Sequence, residues 1–211
     1  MKLNMQIAFA PPEETYLRLR RKYPFTPYGK GNPSRVLLSC ILSARTKDEL
    51  TYPTADELFK KYPTPKELCS APPQDVETLL KPLGFFRQKA KHIREAACFI
   101  SEKDVPKTTE ELLLVPGIGP KCAAIVRAFG WGIPDIAVDT HVFRISKRLG
   151  WTTSADTLDQ TQKKLKLLFP INQWVFINHL VVSLGRDVCR PQRPLCNLCV
   201  LSDICPYPSN P

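Results

Sequence analysis

The sequence predicts an all-α fold. Apolar residues recur at helical spacing along most of the 211-residue chain. Ser/Thr-x-x-Glu signatures, in which a hydroxyl and a carboxylate satisfy orphan amides at a helix start, appear three times: Thr54 with Glu57, Thr64 with Glu67, and Thr108 with Glu111. No alternating run bounded by hairpin signals competes with them. About ten short helices are expected on pattern alone, with prolines falling between them, as in YPTP and APPQ.

The N-terminal stretch MKLNMQIAFAPPEE is too briefly apolar, and too soon acidic, for a secretory signal. No run of about 18 apolar residues suggests a membrane span. The expected setting is therefore soluble and intracellular, cytoplasmic or nucleoid-associated. The formal net charge of +10 predicts a basic face that attracts polyanions, nucleic acid before membrane. SRVLLSCILSA (34–44) carries an apolar stripe, and RQKAKHIREAACFISEK (87–103) separates basic from apolar faces. Cys40, Cys69, Cys98 and Cys122 stand in apolar surroundings, where a small buried hydrophobe is the ordinary reading, and structural disulfides are seldom formed in a reducing compartment.

TEELLLV and PKCAAIVRAFG read as two helices joined by Pro116-Gly117-Ile118-Gly119, a helix-hairpin-helix pattern. Glycine permits positive φ and close approach of another backbone, and the first amides of the second helix point outward at the positive end of its dipole, where a phosphate fits. The turn alone is equally well a tight helix corner capped by glycine. Lys121 is the unusual residue, because an ammonium at a helix N-terminus opposes the dipole. The neutral amine is correspondingly favoured, as a Schiff-base nucleophile requires. Downstream, Asp139 occupies the N-cap of DTHVFRISKRL; capping alone explains an aspartate there, and would also hold it ionised. His141 reads as a packing histidine, His92 and His179 have no companions in the sequence, and Trp131, Trp151 and Trp174 read as core.

The tail places Cys189, Cys196, Cys199 and Cys205 with six, two and five residues between successive members. Structural zinc sites usually pair two short knuckles, and only Cys196 to Cys199 forms one. The open spacing suits a cubane cluster better.

Taken together, LVPGIGPKCAAIVRAFG, IAVDTHVFR and the four-cysteine tail resemble the endonuclease III family of DNA glycosylases, of the helix-hairpin-helix superfamily with a Gly/Pro-rich region and an aspartate. NPSRVLLSCILSARTKDE and LGFFRQKAKHI extend the likeness over nearly the whole chain. The resemblance implies two helical domains with a DNA-binding cleft between them. One is a six-helix barrel over 26–133 with the hairpin at about 108–130; the other joins 1–25 to 134–211 and carries a [4Fe-4S] cluster on the four cysteines. It implies a bifunctional glycosylase and abasic-site lyase that removes oxidised pyrimidines, with Lys121 as nucleophile and Asp139 as catalytic carboxylate. Gly117, Ile118, Gly119 and Arg193 would contact DNA. Arg45 and Phe85 would fill the duplex and wedge its strands, where the family usually has a glutamine and an aliphatic residue.

Arg186, Arg190 and Arg193 are expected to offset the charge of the cluster thiolates. The implied partner is double-stranded DNA containing damaged bases or abasic sites, bound by a monomer with no membrane. A mismatch-specific thymine or uracil glycosylase is the alternative on the same scaffold, and a noncatalytic helix-hairpin-helix DNA-binding protein the alternative from another class.

Overall fold

A computed structural model describes residues 9–25 and 31–207. The N-terminal stretch 1–8, on which the signal-peptide argument partly rests, and the expected domain boundary at residue 26 lie outside the described residues. Eleven α-helices and no strand occur among the described residues. In chain order they are α1 (Pro12–Lys22), α2 (Pro33–Ser43), α3 (Asp48–Lys61), α4 (Pro65–Ser70), α5 (Pro73–Leu80), α6 (Phe86–Lys103), α7 (Thr109–Leu112), α8 (Pro120–Ile125), α9 (Thr140–Arg148), α10 (Leu158–Leu168) and α11 (Trp174–Asp187). No single described helix is long and apolar enough to cross a membrane.

Proline opens α1, α2, α4, α5 and α8, where its missing N–H is no loss and its fixed φ is already helical. Pro53 is the exception to the expectation that prolines lie between helices, because α3 runs through it. Thr54 is consequently not an N-cap. It lies inside α3, and its hydroxyl donates to the Leu50 carbonyl at 2.8 Å, as Thr51 does to Lys47 at 3.0 Å. Asp48 and Glu49 at the positive end of the dipole, and burial of Ala55, Leu58 and Phe59, keep the helix running across the proline. Thr64 and Glu67 form the full reciprocal box at α4; Thr108 accepts from the Glu111 amide at α7.

The chain divides into two compact units, one from Met1–Pro27 with Pro134–Pro211 and the other Tyr28–Ile133. Each has its own apolar core. In the central unit, Leu37, Leu38, Ile41 and Leu42 of α2 pack with Ala90, Ile93, Ala97 and Ile100 of α6. The spacing of the α6 set is the 3–4–3 repeat that aligns side chains on one helix face. In the terminal unit, α9 contributes Val142 and Ile145, and α11 contributes Ile177, Leu180, Val181 and Leu184.

A disulfide joins Cys69 on α4 to Cys98 on α6. The expectation of two unlinked buried thiols is therefore corrected. The two cysteine Cα atoms stand 4.7 Å apart, within the range a disulfide spans. Cys40 and Cys122 are free, as are the four tail cysteines.

Candidate active site and cysteine pocket

The helix-hairpin-helix is built as the sequence requires, but in compact form. After α7 the chain turns through Val115, whose carbonyl accepts from the Ile118 amide at 3.1 Å, and enters α8 at Gly119. α8 then passes directly into a π-helical turn, Val126–Trp131. Gly117 has φ +80°, and a Cβ there would also press on the His92 ring. Glycine is needed at that position by the fold itself. Gly119 is different: its φ is −111°, and nothing lies within 4 Å of the place a Cβ would occupy. Ile118 is buried in the core of the central unit, so only its main chain is available outward. Lys121 is the second residue of α8 and is exposed. Behind it, the buried Cys40 thiol shares a hydrogen bond with Cys122, and that bond and burial raise Cys40 well above the usual thiol range.

Arg45 and Phe85 are brought together in the central unit. The Arg45 guanidinium carbon lies 5.6 Å from the Phe85 ring centroid. Both residues adopt positive φ, 53° and 57°, and Arg193 does so at 47°. Left-handed backbone is disfavoured for such side chains and persists where surroundings impose it, often at functional positions. Three of the four non-glycine residues with positive φ among the described residues are thus residues expected to meet DNA. Phe85 is 60% exposed, an uncommon state for a phenylalanine, and Leu83 just before it is buried. A recess of about 300 Å³ lies beneath the pair, lined also by Ile41, Ala44, Gln88, Lys89, His92 and Gly117. His92, without companions in the sequence, thus packs against the hairpin and lines this recess.

Asp139 belongs to the terminal unit. One of its carboxylate oxygens, Oδ1, accepts from the amides of His141 and Val142, each at 2.9 Å, fixing the carboxylate at the start of α9. The extended approach to it is pinned from α10 and α11. Gln162 donates to the Ile136 carbonyl at 2.7 Å, Asn178 to the Ala137 carbonyl at 2.8 Å, and Lys166 pairs at 2.7 Å with the buried Asp135. None of these positioning groups was singled out from the sequence, because the hydrogen-bond partners lie 26 to 41 residues apart. His141 is a packing residue: its ring fills a notch at Gly185 of α11, where a Cβ would collide with Nδ1. Trp151 is core, with its ring edge-on to Phe169.

Cys189, Cys196, Cys199 and Cys205 line one cavity of about 150 Å³, walled otherwise mainly by Ile145, Leu149, Leu184, Val188 and Leu201. Burial pushes the Cys199 thiol up to about 11 and raises Cys205 as well. Metal ligation uses the thiolate, so a cation must supply the stabilisation these apolar walls withhold. Among the described residues no three His, Cys, Asp or Glu gather around a single ion-sized point. The four thiols surround a volume instead, a donor set that fits a polynuclear iron–sulfur group.

The arginine that meets this set is Arg148 of α9. It donates to Cys189 Sγ at 3.3 Å and to the carbonyls of Arg190 and Pro191 at 2.7 and 2.9 Å. Arg144, one turn earlier, donates to the Cys189 carbonyl at 2.9 Å. Arg190, expected to offset thiolate charge, sends its side chain to the Asp187 carbonyl at 3.3 Å.

Comparison with known proteins is consistent with these parts. The HhH-GPD superfamily of base excision DNA repair proteins matches residues 38–170. Endonuclease III of Thermotoga maritima is 43% identical over 198 residues, covering 92% of each chain. The chloroplastic Endonuclease III homolog 2 of Arabidopsis thaliana is 35% identical over 210 residues; the match covers 94% of this chain and half of that longer protein. Among solved structures, a trapped Endonuclease III–DNA covalent intermediate with an estranged adenine superposes with a TM-score of 0.83 at 32% identity, covering 92% of this chain and 93% of the other.

Proposed function

Because the chain belongs to the endonuclease III branch of the HhH-GPD superfamily of base excision DNA repair proteins, and is a DNA glycosylase of that pathway, we propose that it is bifunctional, with Lys121 as its nucleophile. The observation that carries this is the position of Lys121, an exposed residue second in α8, directly after a hairpin whose Gly119 leaves open space.

A base inside duplex DNA is out of reach, so the damaged nucleotide is extruded, and lesions that weaken pairing or stacking are extruded most easily. Gly117, Ile118 and Gly119 offer main-chain groups to the backbone phosphates, and Arg193, exposed and in a left-handed conformation, adds a charged contact. As the glycosidic bond breaks, positive charge develops on the sugar and the Asp139 carboxylate stabilises it. The Lys121 nitrogen bonds to C1′ and the base departs with its electron pair and a proton. Ring opening leaves an imine, which acidifies C2′. Loss of a C2′ proton then expels the 3′ phosphate and cuts the strand. The substrate class is oxidised pyrimidines and abasic sites in double-stranded DNA, and the chain acts as a monomer.

Cys189, Cys196, Cys199 and Cys205 would hold a [4Fe-4S] cluster, whose contribution is to fold the loop bearing Arg193 rather than to break bonds. Arg148 would donate to the cluster through the Cys189 sulfur. Incubation with a duplex containing thymine glycol and sodium borohydride is expected to yield a covalent protein–DNA product, absent from Lys121→Ala. A noncatalytic binder would give none, while retaining salt-dependent affinity.

A further inference from the structure

Behind Lys121 lie two free thiols that the proposed chemistry does not use. Cys40, on α2, is 6% exposed; Cys122, on α8, is half-buried and packs on the apolar core of the central unit. The two helices pack on each other, and the Cys40 S–H donates to the Cys122 sulfur. Two sulfurs far apart in the sequence are thus already in contact across a helix pair.

Their surroundings make the two thiols unequal. The hydrogen bond from Cys40 holds the Cys122 thiol below its usual range against the opposing effect of burial, and the charge of Lys121 and the Gly119 main chain act in the same direction as that bond. The same bond, with burial, raises Cys40 well above it. Cys122 is therefore the readier thiolate and the more accessible of the pair, with a protonated thiol against it. A peroxide-reactive cysteine and its resolving partner need that arrangement.

We propose that Cys40 and Cys122 are an oxidation site for hydrogen peroxide, and that the disulfide formed there ties α8 to α2 and displaces Lys121, a consequence that rests on the reading of Lys121 as the nucleophile. The Cys122 thiolate attacks a peroxide oxygen; the O–O bond breaks, hydroxide leaves, and a sulfenic acid remains. The Cys40 sulfur then attacks the Cys122 sulfur, and the S–O bond breaks with loss of a second hydroxide. The two thiol protons convert both hydroxides to water. Two thiols and one peroxide become one disulfide and two waters, the sulfurs losing the two electrons that the peroxide gains.

Sulfurs in hydrogen-bond contact must close to about 2 Å to bond, so α2 and α8 take up whatever side-chain rotation does not absorb. Lys121 precedes Cys122 in the first turn of α8 and moves with it. A misplacement of about 1 Å from attacking geometry costs on the order of a hundredfold in rate.

The test treats the full, cluster-containing chain with a slight excess of hydrogen peroxide, desalts it, and follows its iron content. Non-reducing peptide mapping is expected to find Cys40 linked to Cys122, beside the Cys69–Cys98 bond present before treatment. Single-turnover strand cleavage at an abasic site, run without borohydride, should slow about tenfold to a hundredfold and recover after dithiothreitol treatment and desalting. Cys122→Ser should cleave at the parent's rate before and after peroxide, and Cys40→Ala, which removes the other partner, should behave alike. Thiols recovered unlinked, or linked with cleavage unchanged, would overturn the proposal. An equal loss of cleavage in Cys122→Ser and Cys40→Ala would assign the effect to cluster damage and overturn it too. A reduced parent that cleaves but ignores peroxide loses only the oxidation site, whereas one that never cleaves loses the nucleophile reading and this consequence together.

Discussion

At Asp139 a carboxylate oxygen accepts two main-chain hydrogen bonds at 2.9 Å, a structural duty, while the proposed chemistry needs the group's charge. Asparagine caps helices about as well as aspartate, so Asp139→Asn separates the two. We expect the melting free energy of the variant, read by urea titration, to stay within about 0.5 kcal/mol of the parent. Single-turnover base excision should fall about a hundredfold or more, the usual effect of removing one transition-state electrostatic contact. A variant that is destabilised yet excises normally would make Asp139 a cap only. The capping role of Asp139 was legible from its place before a helical pattern, since an N-cap needs only local sequence. Arg148 was not: its sulfur contact at Cys189 joins residues 41 apart, and no local pattern says which arginine turns toward a cysteine.

At the level of elements, helix starts were legible where side chain and amide lie three residues apart, as at Thr64, and misleading at Thr54, where burial of the α3 face outweighs the start signal. The bond between Cys69 and Cys98 was illegible because it depends on how closely α4 and α6 approach, which their separate periodicities do not encode. A cross-link over a sequence separation of 29 stabilises chiefly by restricting the unfolded chain, by about 3 to 4 kcal/mol in the loop-entropy account. Cys98→Ser, or reduction of the parent, should lower unfolding stability by that order in urea titration. Borohydride trapping below the transition should persist, since Lys121 stands on α8. Equal stability with and without reductant would mean that the bond does not form in the purified protein.

Across the whole molecule, the all-helical class and its motifs were readable because helical periodicity and the Cys spacing are properties of contiguous stretches. The positioning of Asp139 by Gln162 and Asn178 was not, because it arises only once α10 and α11 pack on the segment before it. The cysteine pocket makes its own demand. Chemical analysis of anaerobically purified protein should find about four irons and four acid-labile sulfides per chain, and Cys199→Ser should lose both. Stoichiometric zinc without sulfide would contradict the cluster. The central claim, that the Lys121 amine is the group joined to the sugar, is tested most directly by proteolysis and tandem mass spectrometry of the borohydride-reduced protein–DNA product. The account predicts the sugar remnant on the side-chain nitrogen of Lys121; its recovery on another lysine or on the N-terminal amine would contradict it.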